Sequence, residues 1–133
     1  IEEMLLKGRS TIPHSIQTLM MIDSLDMTDA DRKIILEHCK TCPEERIIVT
    51  HGTDTMTETA LQLGAAKLPK TIIITGAMVP YTFGSSDGMF NLGSSMAYVQ
   101  CLPHGVYVVM NGKAYQWDNV MKNKKTGFFE PIS

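Results

Sequence analysis

A threonine and an aspartate stand side by side at Thr53 and Asp54, inside the run HGTDTMTETA (residues 51–60). Ordinary helix initiation accounts for much of that run. Thr55 and Glu58 have the T-x-x-E spacing of a capping box, which satisfies free N–H groups at a helix start. Gly52 permits a sharp turn, and His51 reads as a packed, hydrogen-bonded side chain. Thr53 and Asp54 are left over. A carboxylate grips an ammonium group through charge-assisted hydrogen bonds. A neighbouring hydroxyl attacks as a nucleophile or orients a water once a base takes its proton. A lysine held partly desolvated beside a carboxylate can be that base, but the residue types alone do not say which lysine.

The elements that must position this pair follow from the alternation of two patterns. Ile1 to Lys7 reads as a short helix and Ser15 to Ile22 (SIQTLMMI) as a strand. Thr28 to Asp31 opens a helix with acidic residues in its first turn, where the helix dipole favours them, and Pro43 closes it. RIIVT (46–50), TIIIT (71–75) and VYVVM (106–110) are β-branched runs of the kind that form strands buried on both faces. Helical patterns over Thr55 to Ala66 and Asp87 to Cys101 separate them. The expected fold class is α/β, a parallel sheet with helices on both faces and right-handed crossovers. Ligands bind outside the carboxyl ends of the strands of such sheets. That points to three loops: His51–Asp54, the long stretch 76–86, and the residues after Asn111.

Composition removes several classes of function. The 133 residues suit one domain, and 12 Lys+Arg against 14 Asp+Glu leave a net charge of -2. Only Lys122, Lys124 and Lys125 cluster, a poor footprint for nucleic acid. No apolar run approaches the roughly 18 residues of a membrane span. The expected partner is a small molecule, with no cofactor and no metal. Cys39-x-x-Cys42 and Cys101-x-x-His104 have zinc-ligand spacing, but both pairs close predicted helices and would sit at the opposite, amino edge. Three cysteines are too few for a disulfide framework, which leads to the expectation of a reducing cytoplasm.

The run HGTDTMTETA resembles the second signature of the bacterial-type L-asparaginases, amidohydrolases with an active-site threonine. Four more blocks follow that family's order. IDSLDM (22–27) resembles its D-S-x-D/N-M segment, and TGAMVP (75–80) with SDGMFNL (86–92) resembles its T-G-A-x-x-P…S-D-G-x-x-N-L stretch. VMNG (109–112) and VMKN (120–123) resemble the strand and the lysine-bearing segment downstream. The resemblance implies a flavodoxin-like sheet and hydrolysis of the side-chain amide of asparagine or a related small amide, in a homodimer or homotetramer. Thr53, Asp54 and Lys122 match the family's Thr–Lys–Asp constellation, and Asp54 also its holder of the substrate's α-amino group. Ser24 matches a serine that contacts the α-carboxylate, and Gly52 and Ala77 line the pocket through their backbones.

The departures from the family pattern are specific. The first signature, T-G-G-T-I, which carries the other active-site threonine, is not among these residues, nor is the tyrosine of the neighbouring mobile loop. Leu25 stands where some members place a polar side chain. The expectation is therefore a single asparaginase-like N-domain over residues 1–133, incomplete at its N-terminus and without the family's C-terminal domain. The alternatives are a non-catalytic amino-acid-binding or assembly module, or an amidotransferase component.

Overall fold

In the computed structural model, residues 1–81 and 85–133 are described; the part of the predicted functional loop at 82–84 lies outside them. Helix α1 spans Glu2–Lys7, α2 Asp29–Thr41, α3 Met56–Ala65 and α4 Gly88–Cys101. Strands β1 (Arg46–Thr50), β2 (Thr71–Thr75), β3 (Gly105–Met110) and β4 (Lys113–Gln116) form one sheet in that order. The first three run parallel, and β4 returns antiparallel to β3. Strands β5 (Met121–Lys122) and β6 (Phe129–Glu130) make a separate two-stranded ribbon. The expected α/β class holds, with a parallel-dominated sheet. Its centre is β2, whose Ile72, Ile73 and Ile74 are wholly buried and contribute about 2 kcal/mol each through loss of apolar surface to water.

Alternation along the strands sorts the core into two layers. Ile72, Ile74, Val106, Val108 and Met110 pack with Ile35 of α2 and with Met56, Ala60 and Leu63 of α3. Ile73, Tyr107 and Val109 face the other way, against Tyr98 and Val99 of α4. The two crossover helices thus lie on opposite faces, although β1→β2 and β2→β3 both step in the same direction across the sheet. Two steps of one sense with helices on opposite faces have opposite hands, so one crossover is left-handed. The expectation of right-handed crossovers throughout is corrected on this point. The arrangement has a functional result: the chain leaves β1 and β2 toward opposite faces, the condition under which ligands bind outside the carboxyl ends of such strands.

The strand expected over Ser15–Ile22 does not form; those residues run as irregular chain. A strand needs a neighbour to take its N–H and C=O groups, and among the described residues β1 pairs only with β2. Helix α2 begins as expected, on a full capping box between Thr28 and Asp31. Its other end is closed by Lys70, which is buried and donates from Nζ to the carbonyls of Cys39 and Cys42, at 2.6 Å each. A cation at a helix C-terminus satisfies free carbonyls and complements the dipole. The Cys39–Cys42 pair is occupied with ending this helix, and burial pushes the Cys39 thiol up to about 11.

Candidate active site

The turn after β1 hangs on one further rung of the ladder, His51 N–H to the Thr75 carbonyl at 2.8 Å. Beyond it comes the turn that carries Thr53 and Asp54. Thr53 is buried and Asp54 is half exposed. Lys122, from β5, reaches both: Nζ lies 3.0 Å from Thr53 Oγ1 and 3.0 Å from Asp54 Oδ1. Its side chain is only 14% exposed, so the ammonium is held in a partly desolvated place against one carboxylate. Sixty-nine residues separate Thr53 from Lys122 in sequence. The lysine that looks like one of a solvated charge run is the one drawn inward.

Ser24 sits against the same turn. Its side chain is 1% exposed, and Oγ has no hydrogen-bond partner among the described residues. A buried hydroxyl without a partner costs about 1–3 kcal/mol, so its position against the turn calls for a physical reason. Gly52 is required by this contact, because a Cβ there would lie 2.7 Å from both Cβ and Oγ of Ser24. Ala77 follows Gly76 in the loop after β2. Thr53, Asp54 and Lys122 are thus in direct contact, Ser24 and Gly52 are packed together beside them, and Ala77 lies on the facing loop.

Two helix-capping assignments are corrected. Thr55 makes no side-chain cap to α3; its hydroxyl donates instead to the Ser24 carbonyl at 2.8 Å, pinning the serine segment to the turn. Glu58 does not reach back to the helix start but pairs with Arg32 at 3.0 Å. Arg32, buried at 5% side-chain exposure, also pairs with Asp29 and ties α2 to α3 beneath the site. Asp87 stands at the first position before α4 without capping it. Its carboxylate accepts the N–H groups of Met78 and Val79 at 3.0 Å each, so it shapes the loop that carries Ala77. Burial pushes the Asp87 carboxyl up, but those two amides, its own N–H and Asn91 outweigh it and hold the group below the ordinary carboxylate value.

His51 is the brace of the turn. Its Nδ1 donates to the Gly52 carbonyl at 2.7 Å, which leaves Nε2 to accept from the Thr59 hydroxyl at 2.7 Å. Burial lowers its pKa; the Gly52 carbonyl works against this and the Arg32 charge adds to it. The folded state therefore holds the ring neutral where the unfolded chain, near 6.5, already takes a proton. Stability from this residue is complete above that value and is lost as pH falls through the lower, folded one. Urea denaturation at about pH 7.5 and about pH 5.5 checks the sign. The wild type should lose more stability between the two than His51→Gln, and equal losses would show that the ring's protonation is not what the fold resists.

The residues that sequence reading passed over are Asn91, Asn111 and Tyr115. Asn91 is fully buried and donates from Nδ2 to the Gly76 carbonyl at 2.9 Å and to Asp87 at 3.1 Å, while its Oδ1 accepts the Asn111 N–H at 3.2 Å. Asn111 and Gly112 both have positive φ, at 57° and 79°, and form the two-residue turn between β3 and β4. Asn-Gly is the strongest short-range hairpin signal, so this turn was open to discovery from sequence.

The family model for the N-terminal part of asparaginases matches residues 3–129. The chain belongs to the asparaginase family. Among similar proteins, L-asparaginase 2 of Escherichia coli (strain K12) is 36% identical over 119 residues, covering 83% of this chain and 33% of that protein. A Haemophilus influenzae protein named as a probable periplasmic L-asparaginase is 34% identical over 118 residues, with the same two shares. The crystal structure of L-asparaginase I from Vibrio cholerae superposes with a TM-score of 0.76 at 28% identity, covering 84% of this chain and 36% of that one. The chain spans about a third of the length of the asparaginases it matches. The expectation of a cytoplasmic location is corrected: a relative this similar is named as periplasmic. Three free thiols, one buried, one half-buried and one exposed, require no particular compartment, so their small number was no guide to one.

Proposed function

We propose that the protein carrying this asparaginase domain hydrolyses the side-chain amide of L-asparagine, or of a related small amide, to the acid and ammonia. The observation that carries the reading is the double contact of Lys122 Nζ with Thr53 Oγ1 and Asp54 Oδ1, beside the buried Ser24 hydroxyl that has no partner among the described residues. In this reading Ser24 and the backbones of Gly52 and Ala77 hold the amino-acid end of the substrate. Asp54 takes its α-ammonium group. Thr53 is the hydroxyl that attacks the amide carbon or directs a water to it. Lys122 accepts the Thr53 proton and passes it to the leaving nitrogen, which departs as ammonia; where Thr53 itself has attacked, water then cleaves the Thr53 ester and releases the acid. No cofactor takes part. The family's T-G-G-T-I threonine would complete the site from a segment outside these residues, and the whole protein would assemble as a homodimer or homotetramer. Within it, residues 1–133 would make up one domain.

The test is ammonia release by the whole protein from asparagine and from glutamine, read in a coupled assay. Ammonia formed in step with aspartate supports the reading. Binding of aspartate without ammonia from either amide would overturn it in favour of an amino-acid-binding module.

A further inference from the structure

Lys122 stands on a support too small to hold it. Strands β5 and β6 pair over two residues each, with Lys122 opposite Phe129 and Met121 opposite Glu130, and the ribbon shares no ladder with the main sheet. A two-stranded ribbon is marginal in water by itself. Something must fix it if Nζ is to stay within hydrogen-bond reach of two atoms at once.

The fixing groups converge on Phe129, the residue opposite the lysine. Its N–H donates to Asn111 Oδ1 at 2.9 Å, and its carbonyl accepts the Tyr115 hydroxyl at 2.9 Å. Both of its main-chain groups are thus tied by side chains of the β3–β4 hairpin, while its ring is buried in the core. Asn111 is itself set by its turn geometry and by the hydrogen bond from its N–H to Asn91. Asn91 in turn holds the Gly76 carbonyl just beyond the carboxyl end of β2. One chain of hydrogen bonds therefore runs from the loop after β2, through Asn91 and Asn111, to the ribbon that carries Lys122.

We propose that Asn111 and Tyr115 are positioning residues for Lys122, acting through Phe129. The proposal rests on Lys122 being a working residue of the site, and its test is arranged to separate the two ideas. Asn111→Gly keeps the positive φ and deletes the acceptor; Asn111→Asp keeps both the acceptor oxygen and a residue type that tolerates that φ. The first readout is kinetic, on the whole protein. Asn111→Gly should lower kcat by about a hundredfold, the scale of a misplacement near 1 Å, with KM little changed. Asn111→Asp should restore most of it, and Tyr115→Phe should fall between. The second readout needs no turnover. Under trace acylation of lysines, followed by peptide mass spectrometry, Lys122 of the wild type should label far more slowly than the exposed Lys124 and Lys125. Asn111→Gly should raise Lys122 to their rate, and Asn111→Asp should keep it slow. If the wild type releases no ammonia yet Lys122 labelling follows this pattern, the proposed hydrolysis fails and the clamp stands. Lys122 remaining slow to label in Asn111→Gly overturns the clamp.

Discussion

Methionine in place of Lys122 should lower amide turnover about a thousandfold, within the range that a positioned proton-transfer group contributes, while the protein stays folded. The substitution keeps an unbranched stem in the narrow space that leaves Lys122 14% exposed and removes the one nitrogen that contacts Thr53 and Asp54. Thr53→Val, which exchanges the hydroxyl for a methyl of similar size, should cost at least as much. Groups that act as one unit are strongly non-additive, so the double variant should be no slower than the worse single one. Ammonia release at saturating asparagine, with circular dichroism as the control for folding, gives the answer. Near-normal turnover in both single variants would sink the assignment of the site.

The second large effect belongs to a glycine. Gly76→Ala should destabilise the protein by about 3 kcal/mol, the upper part of the usual range for overpacking, and lower its Tm by about 10 °C. A Cβ at this position would lie 2.2 Å from the His51 carbonyl oxygen and 3.1 Å from Met56 Cε. The methionine tip can yield; the carbonyl is backbone, in the residue whose N–H makes the last rung between β1 and β2. Relief requires the two carboxyl ends to separate, or the His51 peptide to rotate, and either movement displaces the Gly52–Asp54 turn. Activity should therefore fall even at temperatures where the variant is fully folded. Urea unfolding gives the stability, and a loss below 1 kcal/mol would show that the His51 peptide moves freely.

What the sequence disclosed is what composition encodes locally. Three β-branched runs became β1, β2 and β3; β2 and β3 are buried on both faces as expected, while β1 is only half-buried. The helices between them came out within a residue or two. The failures concern relations between distant segments. SIQTLMMI has a strand's composition, but a strand is a property of a pair, and among the described residues it has no partner. Thr55 and Glu58 have the spacing of a capping box, yet partners more than twenty residues away in sequence, the Ser24 carbonyl and Arg32, took both side chains. Nothing in the alternation of elements shows the hand of a crossover. At the site, Thr53 and Asp54 stood out because helix initiation did not need them, and Ser24 came only through likeness to the asparaginases. So did Lys122, since a lysine within KNKK looks like solvated surface until the ribbon that folds it inward is known. Asn111 was announced by its turn but not by its role, because the bond it makes to Phe129 spans 18 residues.

The turn with Thr53 and Asp54 continues directly from β1 of the main sheet, while Lys122 stands on a ribbon with a ladder of its own. The two jaws of the site therefore share no backbone pairing and meet through side chains alone, the lysine being anchored in the interior through Asn111 and Tyr115. Amide hydrogen exchange would read that independence directly: Asn111→Gly should speed exchange at Met121 and Lys122 and leave Ile47 to Thr50 unchanged.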